Sequence, residues 1–120
     1  MGTKLPVRLL VCGGRNFNNR KYLEFILDEF LAAIPISCLI HGGARGADRM
    51  ANEWAKAKQI PTEIYKAEWE KHGQAAGPIR NQEMLTKSRP DKIIAFPGGN
   101  GTANMVKLGT DAGISVTEIE

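Results

Sequence analysis

With 120 residues, 42% of them hydrophobic and 24% charged, the chain has the length and composition of one globular domain and is too short for two separate cores. No apolar run approaches the roughly 20 residues that would cross a bilayer, which argues against a membrane protein. The 16 basic and 13 acidic residues are mixed along the chain, giving a net charge of +3 without the Lys/Arg stripe of a nucleic-acid footprint, so nucleic acid is a disfavoured partner.

The opening segment carries a lysine and a short apolar run, but glycines and Arg15 follow where a signal peptide needs small residues and a cleavage site. It reads as the start of a first strand, Val7 to Cys12, in a protein expected in the cytoplasm. Gly13-Gly14 stops that strand, and Asn18 or Asn19 caps a helix whose Leu23, Ile26, Leu27, Phe30, Leu31 and Ile34 follow the spacing of one apolar face, up to Pro35. Ile36 to Ile40 is a second strand, His41 to Gly46 a glycine loop, and Ala47 to Gln59 a helix with Met50, Ala51, Trp54 and Ala55 inward. Cys12 and Cys38, in apolar β-like runs, are expected to be buried free thiols.

Thr62 to Tyr65 is a third strand, followed by an irregular stretch from about Lys66 to Ala76 that holds Trp69, His72 and Gly73. Gly77-Pro78 opens a helix to about Lys87, since proline is tolerated at the first helical position. Asp91 to Phe96 is the fourth strand, Pro97 to Gly101 a third glycine loop, Thr102 to Ala112 the last helix, stopped by Gly113, and Ile114 to Ile119 the fifth strand. Unbroken alternation of strand and helix predicts an α/β fold: a single Rossmann-like three-layer domain over residues 1–120, with a five-stranded parallel sheet of order 3-2-1-4-5 and helices on both faces.

Ligands of such sheets bind outside the carboxyl ends of the strands, where the strand order reverses. That rule brings together Gly13, Gly14 and Arg15; Gly42, Gly43, Arg45 and Gly46; and Pro97, Gly98, Gly99, Asn100, Gly101 and Thr102. The second and third of these loops lead into helix N-termini, where free N–H groups and the dipole attract anions, so they read as a phosphate cradle. Taken singly, each loop is equally well a tight strand-to-helix turn. Neither a Walker A string nor G-x-G-x-x-G is present, which disfavours ATP-driven work and NAD-dependent hydride transfer. Arg80 and Asn81 fall in the first turn after Pro78, where an arginine opposes the dipole unless an anion compensates; Arg80 is a phosphate clamp or a plain surface residue. Asp48 holds ribose hydroxyls or favours its own helix dipole, and Trp69 stacks on a base or caps the core. His41, His72, Cys12 and Cys38 lack the close spacing of a zinc site, so neither metal nor cofactor is expected.

Read in order, the segments GGRNF (13–17), HGGARGAD (41–48), AEW (67–69), HGQAAGPIRNQEM (72–84) and DKIIAFPGGNGTANM (91–105) resemble the YspA and cpYpsA-related branch of the SLOG superfamily, the DUF2493 domains. Other SLOG members include the LOG phosphoribohydrolases, the single-strand DNA-binding protein DprA and domains that sense ADP-ribose-derived signals. The resemblance thus implies a nucleotide-like ligand without fixing a reaction, and implies homodimers, for which Trp54 and its apolar neighbours are the expected patch. LOG enzymes carry an arginine with a methionine close behind and a P-G-G-x-G-T-x-x-E loop. Arg80 and Met84 match the first, and Pro97 to Thr102 match the second, but Met105 stands at the glutamate position. A thioether neither stabilises an oxocarbenium ion nor activates water. The expectation is therefore a sensor or sequestering module for a phosphate-bearing nucleotide derivative, either a nucleoside phosphate or an ADP-ribose-like signal. The alternative is a nucleoside 5′-monophosphate phosphoribohydrolase, with Arg80 and a substitute acid, Asp48 or Glu68, as catalytic candidates; single-stranded DNA binding is a distant third.

Overall fold

A computed structural model describes residues 4–120. Five strands, β1 (Val7–Cys12), β2 (Ile36–His41), β3 (Thr62–Ile64), β4 (Lys92–Ala95) and β5 (Ser115–Glu118), form one sheet in the order β3-β2-β1-β4-β5 with every pair parallel, as the alternation predicts. Five α-helices accompany them: α1 (Arg20–Ala33), α2 (Ala47–Ala57), α3 (Trp69–His72), α4 (Ala76–Ser88) and α5 (Asn100–Asp111).

The period of two along β1 sorts its side chains onto two cores. Leu9 and Val11 join Leu39, Ile94 and Phe96 beneath α1 and α2, while Leu10 and Cys12 join Ile40, Ile93 and Ala95 beneath α4 and α5. Helices therefore cover both faces, and the central strands are almost wholly apolar because neither face meets water. The edge strands β3 and β5 are short and partly exposed. Asn19 caps α1, its side-chain oxygen accepting from the Tyr22 amide at 3.2 Å.

Four expectations are corrected here. Trp54 supplies no pairing patch: it is 3% exposed in the core, and its indole N–H donates to Asp28 at 2.9 Å, because the apolar stripe of α2 faces the sheet. The stretch from Lys66 to Ala76 is not irregular throughout, since α3 and a 3₁₀ turn at Gly73–Ala75 run directly into α4. Consequently α4 starts at Ala76, and Arg80 and Asn81 lie in its second turn rather than its first. Pro78 still fits, because the first four helical N–H groups have no intrahelical acceptor. Likewise α5 begins at Asn100, two residues before the expected start.

The strand-to-helix loops are held against one another by backbone. The Gly14 amide donates to Pro97 O at 2.9 Å, and the Ala47 amide donates to Gly14 O at 3.2 Å, tying the first loop to the third and to the head of α2. Gly46 makes the second contact possible: its φ is +77°, and a Cβ there would run into the carbonyl oxygens of Gly14 and Arg15. Gly46→Ala is expected to destabilise the protein by roughly 1–3 kcal/mol from backbone strain alone, and further through the clash, read as a lowered urea midpoint.

Candidate functional site

A cavity of about 490 Å³ opens at the carboxyl edge of the sheet, where β1 is flanked by β2 on one side and β4 on the other. This is the reversal point of the strand order, and the volume suits a nucleotide-sized molecule. Gly13, Gly14 and Arg15 from the first loop, Gly42, Ala44 and Asp48 from the second, and Gly99, Asn100, Gly101 and Thr102 from the third all line it. Trp69, Arg80 and Asn81 line it too.

The two predicted phosphate loops differ in what they leave free. In the second loop the donors are already used: the Gly42 and Ala44 amides donate to Asp48 Oδ2 at 3.1 and 3.2 Å, and the Gly43 amide donates to His41 Nδ1 at 3.0 Å. Asp48 takes the place an anion would have occupied there. The third loop is open. No side chain caps α5, and the amides of Asn100, Gly101 and Thr102 find no acceptor among the described residues, so three residues with free N–H groups, at the positive end of a 12-residue helix, line the cavity.

Arg80 is held rather than loose. Its Nη1 donates to Gly42 O at 2.7 Å and to Tyr65 O at 3.4 Å, while its Nε donates to Asn81 Oδ1 at 2.9 Å. Asn81 is 3% exposed and passes the connection on, its amide donating to Gly101 O at 3.1 Å and to Asn104 Oδ1 at 2.9 Å. One hydrogen-bonded chain therefore runs from the second loop through α4 to the start of α5. Burial lowers the Arg80 pKa, Asp48 opposes that shift and Arg15 adds to it by repulsion.

Asp48 is 5% exposed, and burial raises its pKa against the opposing pull of the Ala44 amide, His41, Arg80 and the Gly42 amide. Cys12 also lines the cavity, but burial pushes its thiol to about 12, so it is no nucleophile. Opposite these groups stands Trp69, 46% exposed, with the Arg15 guanidinium 4.9 Å from its ring centroid. Trp69 is no core cap; it stands half-exposed on the wall of the cavity.

Several predicted residues lie elsewhere. Gly46, Pro97 and Gly98 line no cavity and serve loop packing: a Cβ on Gly98 would press within 2.7 Å of the Gly14 amide nitrogen. Gly43 and Arg45 border a second, outer lobe with Lys66. Glu68 is exposed and outside both lobes, where no buried group faces it. Met105 is fully buried in the core under α5 and touches no cavity, because the helical period turns it to the sheet. A glutamate there would bury a charge instead of completing a site. Conversely, Gln74, Asn104 and Lys66 line the cleft without having been singled out. Lys66 was discoverable, since it follows directly on the carboxyl end of the third strand.

A sequence profile of the YspA, cpYpsA-related SLOG family matches residues 7–72, which contain the first two loops and Trp69. The chain belongs to this family. It is also 36% identical over 117 residues, covering 91% of this chain and 93% of its relative, to the Gene 61 protein of Mycobacterium phage D29. Among solved structures, the phosphoribosylglycinamide formyltransferase (purN) of Coxiella burnetii, in complex with CHES, is similar with a TM-score of 0.45 and 19% identity over 76% of this chain. The SLOG chain spans 41% of that enzyme's length. None of its described helices is long and apolar enough to cross a membrane, and no described group of three His, Cys, Asp or Glu residues could hold a metal ion.

The raised pKa of Asp48 sets a pH dependence with a definite sign. A carboxyl held above its ordinary 3.8 keeps its proton in the folded state where the unfolded chain has released it, so its stabilising contribution is complete below that value and lost as pH rises through the folded-state pKa. Asp48→Asn cannot ionise, and its side-chain oxygen still accepts from Gly42 and Ala44. Urea melts from about pH 3 to pH 7 should show the stability difference moving in favour of Asp48→Asn as pH rises. A flat difference would contradict the burial assigned to this group.

Proposed function

We propose that residues 1–120 act as one nucleotide-binding domain, a sensor or sequestering module for a phosphate-bearing nucleotide derivative. The observation that carries this reading is the uncapped N-terminus of α5 lining the same cavity as the half-exposed Trp69. A phosphate on the Asn100, Gly101 and Thr102 amides receives three N–H donors at the positive end of the helix dipole. A base lies on Trp69, from which Arg15 swings to meet the phosphate, and ribose hydroxyls fall between Asp48 and Asn104. Arg80, already bonded to Gly42 and Asn81, contributes a fixed positive charge in a poorly hydrated wall and holds two loops at the right separation. The SLOG family membership supports a nucleotide-related ligand in general.

Gly99 permits a clean test. Its backbone is extended at φ −101° and ψ −143°, and a Cβ there would meet nothing within 4 Å, so substitution is tolerated. As the residue capping α5, an aspartate would bond the same N–H groups that await the phosphate. Gly99→Asp should therefore raise stability by a few tenths of a kcal/mol while calorimetric affinity for AMP falls about tenfold or more. Gly99→Ala should leave both nearly unchanged. Trp69→Ala should weaken AMP binding by about 1–3 kcal/mol if the base stacks there. AMP affinity unaffected by Gly99→Asp would refute the phosphate position.

A second reading, hydrolysis of a nucleoside 5′-monophosphate to free base and ribose 5-phosphate, is favoured by one observation: Asp48 is a buried carboxylate lining the cavity near the Arg80 charge. Its Oδ2 already accepts two amides, which holds the group in place, while Oδ1 carries no hydrogen bond from a described residue. Incubation with AMP distinguishes the readings. Binding without release of adenine is expected; release at about 1 s⁻¹ or faster, abolished by Asp48→Asn, would make the protein a phosphoribohydrolase.

A further inference from the structure

Beyond the inner cavity lies an outer lobe of about 420 Å³, and the two share Arg15, Gly42, Ala44, Trp69 and Arg80, so they form one continuous cleft. Four of the nine residues lining the outer lobe are basic, Arg15, Arg45, Lys66 and Arg80, and none is acidic. A cleft lined by one sign of charge focuses its field and concentrates ions of the opposite sign. These four cations, like seven others on the surface, make no ion pair among the described residues, but they alone line one lobe together. Their partners are neutral. Arg15 lies over the Trp69 ring, Arg45 donates to Asn16 Oδ1 at 3.1 Å, and Arg80 donates to carbonyl and amide oxygens. The Lys66 stem runs past Gly43, where a Cβ would come within 3.0 Å of its Cγ. The absence of a side chain at Gly43 lets that lysine lie along the lobe.

We propose that this outer lobe is a second anion subsite, and that the ligand carries a second phosphate beyond the one held by α5. The inference rests on the nucleotide reading above and makes it narrower: a mononucleotide with one phosphate fills only the inner lobe. Trp69, on the wall of both lobes, takes the base or sugar between them. The second phosphate reaches Arg45 and Lys66, while Arg15 exchanges the Trp69 face for a charged partner, a stronger interaction than a cation over an exposed ring. Two ligand geometries present such a phosphate, one joined through a diphosphate bridge and one placed on the far side of the nucleoside.

The test uses calorimetry with AMP, ADP-ribose, adenosine 3′,5′-bisphosphate, inorganic pyrophosphate and a ten-nucleotide oligo-dT. The protein is compared with Arg45→Gln/Lys66→Ala, which removes two exposed charges and keeps a donor for Asn16. ADP-ribose or the bisphosphate should bind about tenfold or more tightly than AMP, and the double variant should erase that gain while changing AMP affinity by no more than about twofold. Which of the two gains tells the geometry. The proposal is overturned if neither exceeds AMP, if the gain survives in the double variant, or if the variant weakens AMP by the same factor. Tighter binding of the oligonucleotide than of either compound would also overturn it, in favour of a polynucleotide track. If AMP fails to bind but pyrophosphate binds and loses affinity in the variant, the anion subsite stands and the nucleotide reading falls; if none of the probes binds, both fall.

Discussion

Three loops meet backbone to backbone at the carboxyl edge of the sheet, and the cleft exists because they can approach that closely. The Gly14 amide and carbonyl bond Pro97 and Ala47, and Gly46 and Gly98 leave the space those contacts need. Side chains at these glycines would push the loops apart, and the α5 N-terminus would no longer share a cavity with Asp48 and Arg80. The glycines of this fold therefore divide by task. Gly46 and Gly98 close the loops together, while Gly99 and Gly101 stand in open space where a ligand can come near the backbone.

On this frame the chain from Gly42 through Arg80 and Asn81 to Gly101 sets the width of the cleft. Each member is bonded in both directions, so the buried amide of Asn81 and the partly buried guanidinium of Arg80 are compensated rather than costly. Asp48 acts similarly within the second loop, substituting a carboxylate for the anion that a bare glycine loop would attract. The result is an asymmetric site. The Gly42 and Ala44 amides of the second loop are taken up from within, the N-terminus of α5 is left open, and the excess of positive charge collects in the outer lobe.

One position of the third loop departs from the LOG pattern that the sequence resembles. The P-G-G-x-G-T loop is present and its amides are free, but the position three residues past the threonine carries Met105, which fills the core beneath α5. Acidic chemistry at this site would have to come from Asp48, on a different loop and already engaged by two amides.

Composition, periodicity and glycine placement determined the layered parallel sheet and its order, because buried parallel strands need continuous apolar runs and short crossovers leave little topological choice. They also located the edge where the loops converge, and the arginine and tryptophan that stand there. Tertiary structure alone decided which backbone donors remain free. The second and third loops look alike as strings of glycine, yet Asp48 spends the donors of one, through a contact that only folding creates. It likewise decided that Trp54 is core, that Arg80 is a bonded strut in a second helical turn and that Met105 faces inward. Local sequence preference does not fix a helix start to within two residues, which is why Arg80 moved by a turn, whereas Trp54 and Met105 were settled by which helix face packs on the sheet, a long-range contact.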